Sequence, residues 1–127
     1  MGIPHFPLVT SRMLHERREI PVAYAVFDVL ALDGQPTTDL PYAKRRKLLE
    51  ALNVGGDFWF LPPVVDDGPS LFAAVCEQGR EGAVAKRRDS LYRPGDRGWV
   101  KVKNRGYWRF HDERHLAQSR RRSRLTI

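Results

Sequence analysis

The chain has 127 residues, enough for one ordinary domain or part of a larger one. Its 42% hydrophobic content supports a core and excludes global disorder. The formal charge of +7 is unevenly placed: residues 1–98 carry 13 Lys+Arg against 13 Asp+Glu, and residues 99–127 carry 9 against 2.

In chain order, Met1-Gly2-Ile3-Pro4-His5-Phe6-Pro7 has neither the basic start nor the apolar run of a secretion signal. Leu8 to Glu19 is predicted as a helix, ended before Pro21. Val22 to Leu32 is the clearest strand. It is rich in Val, Ala, Tyr and Phe and nearly free of charge, so it is expected at the centre of a sheet with both faces buried. Alternation puts Asp28 on one of its faces and Phe27 on the other. Asp33-Gly34 is a turn. Leu40-Pro41-Tyr42 opens a helix to about Leu52, expected to bury Leu48, Leu49 and Leu52 and to expose Lys44, Arg45 and Lys47.

Phe58 to Leu61 reads as a short strand and Pro69 to Gln78 as a helix stopped by Gly79. Within that helix Cys76, the one cysteine, is expected to be a small core residue. A single cysteine rules out an internal disulfide and suits a reducing cytoplasm. Gly82 to Arg87 and Trp99 to Lys103 are strands joined by a turn-rich connection containing Pro94-Gly95. Tyr107 to Leu125 is expected to begin as an edge strand and end as a basic helix. No run reaches the ~20 apolar residues of a membrane helix. The order of elements fits either a parallel α/β unit or an α+β sheet with helices on its faces. The charge excess after Gly98 favours polyanions such as nucleic acid through counterion release, unless it is only a solvated tail.

Two segments carry chemistry. In Glu81-Gly82-Ala83-Val84-Ala85-Lys86, a carboxylate at the mouth of a strand stands beside a glycine that permits close approach. That suits a divalent metal or a polar ligand, although an exposed edge strand would read the same way. Strand alternation turns Lys86 away from Glu81. In Trp99-Val100-Lys101-Val102-Lys103, the two lysines share a face roughly 6.6–7 Å apart, a spacing that suits successive phosphates. Val100 and Val102 are expected to face a core behind them. A carboxylate in a strand as apolar as that around Asp28 needs a partner, an arginine or a metal ion, with the arginine preferred.

Taken in order, Phe27-Asp28-Val29-Leu30, Glu81-Gly82-Ala83-Val84-Ala85-Lys86 and Trp99-Val100-Lys101-Val102-Lys103 resemble motifs III, IV and V of the bacterial ATP-dependent DNA ligases. These belong to the covalent nucleotidyltransferases, with RNA ligases and mRNA capping enzymes. Leu40-Pro41-Tyr42 with Arg45-Arg46-Lys47-Leu48-Leu49 resembles their helix between motifs III and IV. Ser90, Tyr92, Pro94-Gly95 and Arg97 resemble the loop before motif V. The likeness covers about Leu8 to Arg114.

The resemblance implies an α+β fold, a mostly antiparallel sheet flanked by helices, of ATP-grasp-like type. It implies a partial adenylation domain over residues 1–114 and a basic tail over 115–127. Phe27 would stack on adenine, Glu81 would bind magnesium or manganese, and Lys101 and Lys103 would hold the ATP phosphates and act in catalysis. Lys86 and Arg97 would contact the nucleotide or a nicked-strand phosphate. The implied activity is nick sealing in DNA repair and recombination, in the cytoplasm, with ATP as cofactor and nicked duplex DNA as partner.

The nucleophile of that family lies in a Lys-x-Asp-Gly motif. None of Lys44, Lys47, Lys86, Lys101 and Lys103 is followed by x-Asp-Gly; Ala31 and Val65 stand where the lysine would precede Asp33-Gly34 and Asp67-Gly68. The expectation is a chain that forms no lysine–AMP adduct alone. It would be a non-catalytic nucleotide- or nucleic-acid-binding remnant, or one part of a ligase completed by the missing half in trans. Strands left unpaired by such a division would expose apolar surface and favour self-association.

Overall fold

The computed structural model describes residues 5–96 and 98–109. Arg97, the basic tail and most of the predicted element over Tyr107 to Leu125 lie outside the described residues. The chain divides into two compact units. The first runs to Val64 and resumes over Lys86–Trp99; the second comprises Val65–Ala85 and the chain from Val100 onward. Both helices and short sheets are present, so the fold is a small α+β one. Among the described residues, no helix is long and apolar enough to cross a membrane.

In the first unit, α1 covers Phe6–Leu14, with Pro7 in its first turn, and ends before the predicted Glu19. None of its residues is buried. The Arg12 guanidinium instead donates to the carbonyl of Ile20 at 2.6 Å, tying the helix to the segment that follows. The predicted long central strand is replaced by two short ones. Tyr24–Ala25 (β1) pairs in parallel with Trp59–Phe60 (β4), and Ala31–Leu32 (β2) pairs antiparallel with Gln35–Pro36 (β3). The Asp33-Gly34 turn joins β2 to β3, both residues having positive φ (49° and 76°), as a two-residue hairpin loop requires.

Asp28 explains the interruption. Its carboxylate accepts a hydrogen bond from the next amide, Val29 N, at 2.8 Å, a local bond that competes with a sheet ladder. Burial on both faces is not observed: Tyr24 is 67% exposed, and Phe27 and Leu30 are also exposed. Helix α2 covers Tyr42–Ala51. Its first two amides are satisfied by a distant loop, Tyr42 N donating to Ser90 O at 2.8 Å and Ala43 N to Arg88 O at 2.9 Å. Leu49 is buried as expected, but Leu52 is exposed, and Arg45, expected in solvent, is fully buried.

The second unit holds α3, Gly68–Glu77, whose two ends follow directly from local chemistry. Asp67 caps the start, accepting from Ser70 N at 3.1 Å and Ser70 Oγ at 2.6 Å. Gly79, at φ 61°, closes the other end, with Gly79 N donating to Cys76 O and Arg80 N to Val75 O. Val75 is the buried residue of this helix, and Cys76 is exposed rather than in a core.

Strands β5, Gly82–Lys86, and β6, Trp99–Lys103, pair with each other. Arg87 N donates to Gly98 O at one end of the pair and Asn104 N to Glu81 O at the other, so the strands run antiparallel. Lys86 and Trp99 belong to the first unit, and the rest of both strands to the second. Val100 and Val102 are both exposed, contrary to the expectation of a core behind them. A two-stranded ribbon provides no second layer for those side chains to pack on.

Candidate functional site

In the first unit, the site residues rest on a buried ion pair. Arg45 Nε and Nη2 donate to the two carboxylate oxygens of Asp28 at 2.9 and 3.0 Å, a two-pronged arrangement matched to the guanidinium fork. Its Nη1 donates to Leu40 O at 2.7 Å and to Ser90 O at 3.2 Å. The arginine preferred from sequence as the partner of Asp28 is therefore observed. This one guanidinium joins the strand segment, the start of α2 and the loop before β6.

Beside the pair, the ammonium of Lys86 lies against three rings, 4.0 Å from the centroid of Trp99, 4.7 Å from Phe27 and 5.1 Å from Tyr42. Trp99 meets Phe27, Tyr42 and Tyr92 edge-on, with centroids 6.0, 6.0 and 6.2 Å apart. Burial pushes the Lys86 amine below the usual lysine range; the Asp28 carboxylate opposes that shift, and Arg46 and Arg45 add to it. Burial pushes the Tyr42 phenol up. Phe27 keeps 52% of its surface exposed, so its ring is available to a ligand as a platform.

In the second unit, Lys101 Nζ and the carboxylate of Glu81 are in direct contact, and both side chains are partly exposed. Lys103 is exposed on the same strand. An open depression of about 670 Å³ is lined by the cationic Lys101, Lys103 and Arg105 and by Phe72, Cys76 and Val102. Asn104 shapes its wall, donating from Nδ2 to Arg80 O at 2.9 Å and accepting from Gly106 N at 2.9 Å.

The glycine that follows Glu81 has a different reason from the one expected. A Cβ on Gly82 would lie 2.2 Å from the carbonyl oxygen of Val102, so the close approach it permits is to the neighbouring strand. Gly82 also has φ 159°, and Glu81 precedes β5, so strict alternation does not govern the direction of Glu81.

The predicted residues thus form two groups. Phe27 and Lys86 come together in the first unit, and Glu81 and Lys101 in the second, with Lys103 nearby in sequence. Tyr42 and Trp99 were not expected at the site. The register that sets Trp99 against Lys86 depends on the fold of residues 87–98, which local sequence pattern does not encode.

Comparison with known proteins identifies the family. Residues 7–103 match the family described as ATP dependent DNA ligase domain. The chain belongs to that family. It is 40% identical over 105 residues to the multifunctional non-homologous end joining DNA repair protein LigD of Mycobacterium tuberculosis, covering 81% of this chain and 13% of that protein. It is 38% identical over 92 residues to the DNA ligase of Thermococcus onnurineus, covering 67% of this chain and 16% of the relative. Against the probable DNA ligase of Dictyoglomus thermophilum it is 40% identical over 106 residues, with shares of 78% and 17%. The chain therefore spans less than a fifth of the length of these relatives.

The donor set also bears on the metal that the family implies. Among the described residues, no group of three His, Cys, Asp or Glu side chains converges. Glu81 stands as a single carboxylate. Magnesium keeps much of its water and is commonly held by one or two carboxylates together with substrate phosphates, a role for which Glu81 is the candidate.

Proposed function

We propose that this ligase-family chain contributes part of a nucleotide-binding catalytic domain of an ATP-dependent DNA ligase, acting on nicked duplex DNA in repair and recombination in the cytoplasm. Residues 1–114 are assigned to a partial adenylation domain of ATP-grasp-like type and residues 115–127 to a basic DNA-contacting tail. Phe27 takes the adenine ring, Lys101 and Lys103 take phosphates, and Glu81 takes magnesium or manganese. Arg97 is assigned a phosphate contact. The bound metal ion supplies neutralisation of triphosphate charge.

The observation that carries this reading is the exposed Glu81–Lys101 pair. A metal–triphosphate complex bears both signs of charge. Lys101 would be compensated by a phosphate and Glu81 would hold the metal ion once the two side chains separate. Both partners remain compensated, and an exposed pair costs little to separate. Lys101 and Lys103 would then stabilise charge as pyrophosphate leaves.

In the full reaction a lysine amine attacks the α-phosphorus of ATP and displaces pyrophosphate. AMP then passes to a 5′-phosphate, and a 3′-hydroxyl displaces AMP to seal the strand. No lysine of these 127 residues stands in Lys-x-Asp-Gly, so these residues by themselves are assigned nucleotide binding without adduct formation.

ATP with magnesium should raise the thermal midpoint of the chain, and Lys101→Ala should abolish the rise. Labelled ATP should leave no label on the chain in a denaturing gel. An equal rise in the variant overturns the nucleotide site, and a labelled band overturns the non-catalytic reading.

A further inference from the structure

The motif resemblance offers Lys86 as a contact to the nucleotide or to a phosphate, but the geometry around its amine is not that of a phosphate site. The ammonium lies over Trp99, Phe27 and Tyr42 at 4.0, 4.7 and 5.1 Å from the ring centroids. Ring faces carry partial negative charge and attract a cation. Lys101, the lysine assigned to phosphate, instead has its amine beside a carboxylate on a partly exposed side chain.

The surroundings explain why the amine stays. Asp28, whose carboxylate supplies the compensating charge, is already held by Arg45. Arg45 and Arg46 of α2 repel the ammonium, which leaves the three rings as its direct partners. Tyr42, on the same helix, is held neutral to higher pH by burial. Phe27 meanwhile remains 52% exposed. Phe27 thus has the ammonium and Trp99 as neighbours while about half of its surface stays accessible.

We propose that Lys86 is a positioning residue for the purine: its ammonium, seated among Trp99, Phe27 and Tyr42, holds the Phe27 ring as a fixed platform for the base and makes no phosphate contact. The inference rests on the assignment of Phe27 to the adenine ring. Without the ammonium, Phe27 is free to turn at χ1, and a base that stacks on it must bear the cost of ordering it. The cage also couples base binding to the protonated state of Lys86. Once Lys86 is neutral the attraction to the rings is gone, while Tyr42 remains uncharged over the same range.

The experiment is calorimetric titration of the full chain with three ligands: ATP–magnesium, adenosine and inorganic tripolyphosphate. Lys86→Met should weaken ATP and adenosine about three- to tenfold, the scale of a partly desolvated cation–π contact. It should leave tripolyphosphate within about twofold of wild type. Lys86→Arg should restore most of the adenosine affinity, because guanidinium also stacks on rings.

In the unaltered chain, adenosine affinity should fall as pH rises below the ordinary lysine range, following the lowered Lys86 value. This second readout needs no variant and so survives a folding defect in Lys86→Met. Loss of tripolyphosphate binding in proportion to ATP would make Lys86 a phosphate ligand and overturn the proposal. Adenosine binding that neither Lys86→Met nor pH alters would overturn it as well, leaving Phe27 as the platform. No adenosine binding by wild type would overturn the base site itself and the Lys86 role with it.

Discussion

Each unit of this chain contains an ion pair that includes a motif residue, Asp28 in the first and Glu81 and Lys101 in the second, and the two pairs are opposite in kind. In the first unit the side chains of Arg45 and Asp28 are 0% and 5% exposed; in the second those of Lys101 and Glu81 are 52% and 39% exposed. The buried pair satisfies five polar contacts at once: two between guanidinium and carboxylate, two from guanidinium to carbonyls, and one from the Val29 amide. Such a pair cannot exchange partners without stranding a charge in the interior. The exposed pair can, because water stabilises either partner while a ligand arrives. Motif position alone therefore does not fix a side chain's surroundings: Asp28 is locked into the buried scaffold, whereas Glu81 is partly exposed beside Lys101.

That contrast is most directly broken by mutation. Asp28→Ala leaves Arg45 buried and uncompensated, and should cost about 3–5 kcal/mol in urea denaturation, enough to threaten cooperative folding in a domain this small. Replacing both partners, Asp28→Leu with Arg45→Met, should recover a large part of that loss. A double variant no better than the single one would show that the pair itself is needed.

Gly82→Ala tests the second unit in turn. Its methyl would meet the Val102 carbonyl at 2.2 Å, and a loss of about 1–3 kcal/mol is expected from forced separation of β5 and β6. Amide exchange should quicken across Val84 and Val102 while Tyr42 and Ala43, bonded to Ser90 and Arg88, keep their protection. Uniform loss over both units would show that they do not respond separately.

Glu81→Gln should change stability by less than about 1 kcal/mol, as expected for an exposed pair. A change of several kcal/mol would make Glu81 a structural residue like Asp28.

The smallest effect is expected at α3. Hydrogen bonds from the Ser70 hydroxyl and amide hold the Asp67 carboxyl below the usual carboxylate range. A depressed carboxylate contributes stability above its unfolded pKa and loses it as pH falls through the folded one. The thermal midpoints of wild type and Ser70→Ala should therefore differ near neutrality and converge in acid. A gap that persists in acid would separate the role of Ser70 from that ionisation.

Sequence by itself determined the features set by bonds between near neighbours. Asp67, Ser70 and Gly79 bracket α3, Asp33-Gly34 turns the β2–β3 hairpin, and the bounds of β6 agree with its pattern of residues. These rest on side-chain caps and positive φ values, which involve residues only a few positions apart. The three motifs also carried the family, because their order and spacing are properties of the chain.

Only tertiary structure decided what each polar group faces. A helical arginine reads as solvent-exposed until Asp28, Leu40 and Ser90 meet around Arg45. An apolar run such as Val22 to Leu32 reads as buried until its pairing is known, and here just Tyr24–Ala25 and Ala31–Leu32 pair. The neighbours of Lys86 are not legible in its own strand, and only the fold brings Trp99 beside it. Burial, register and cation–π contact depend on residues distant in sequence, so they follow from the assembled chain and not from any one segment of it.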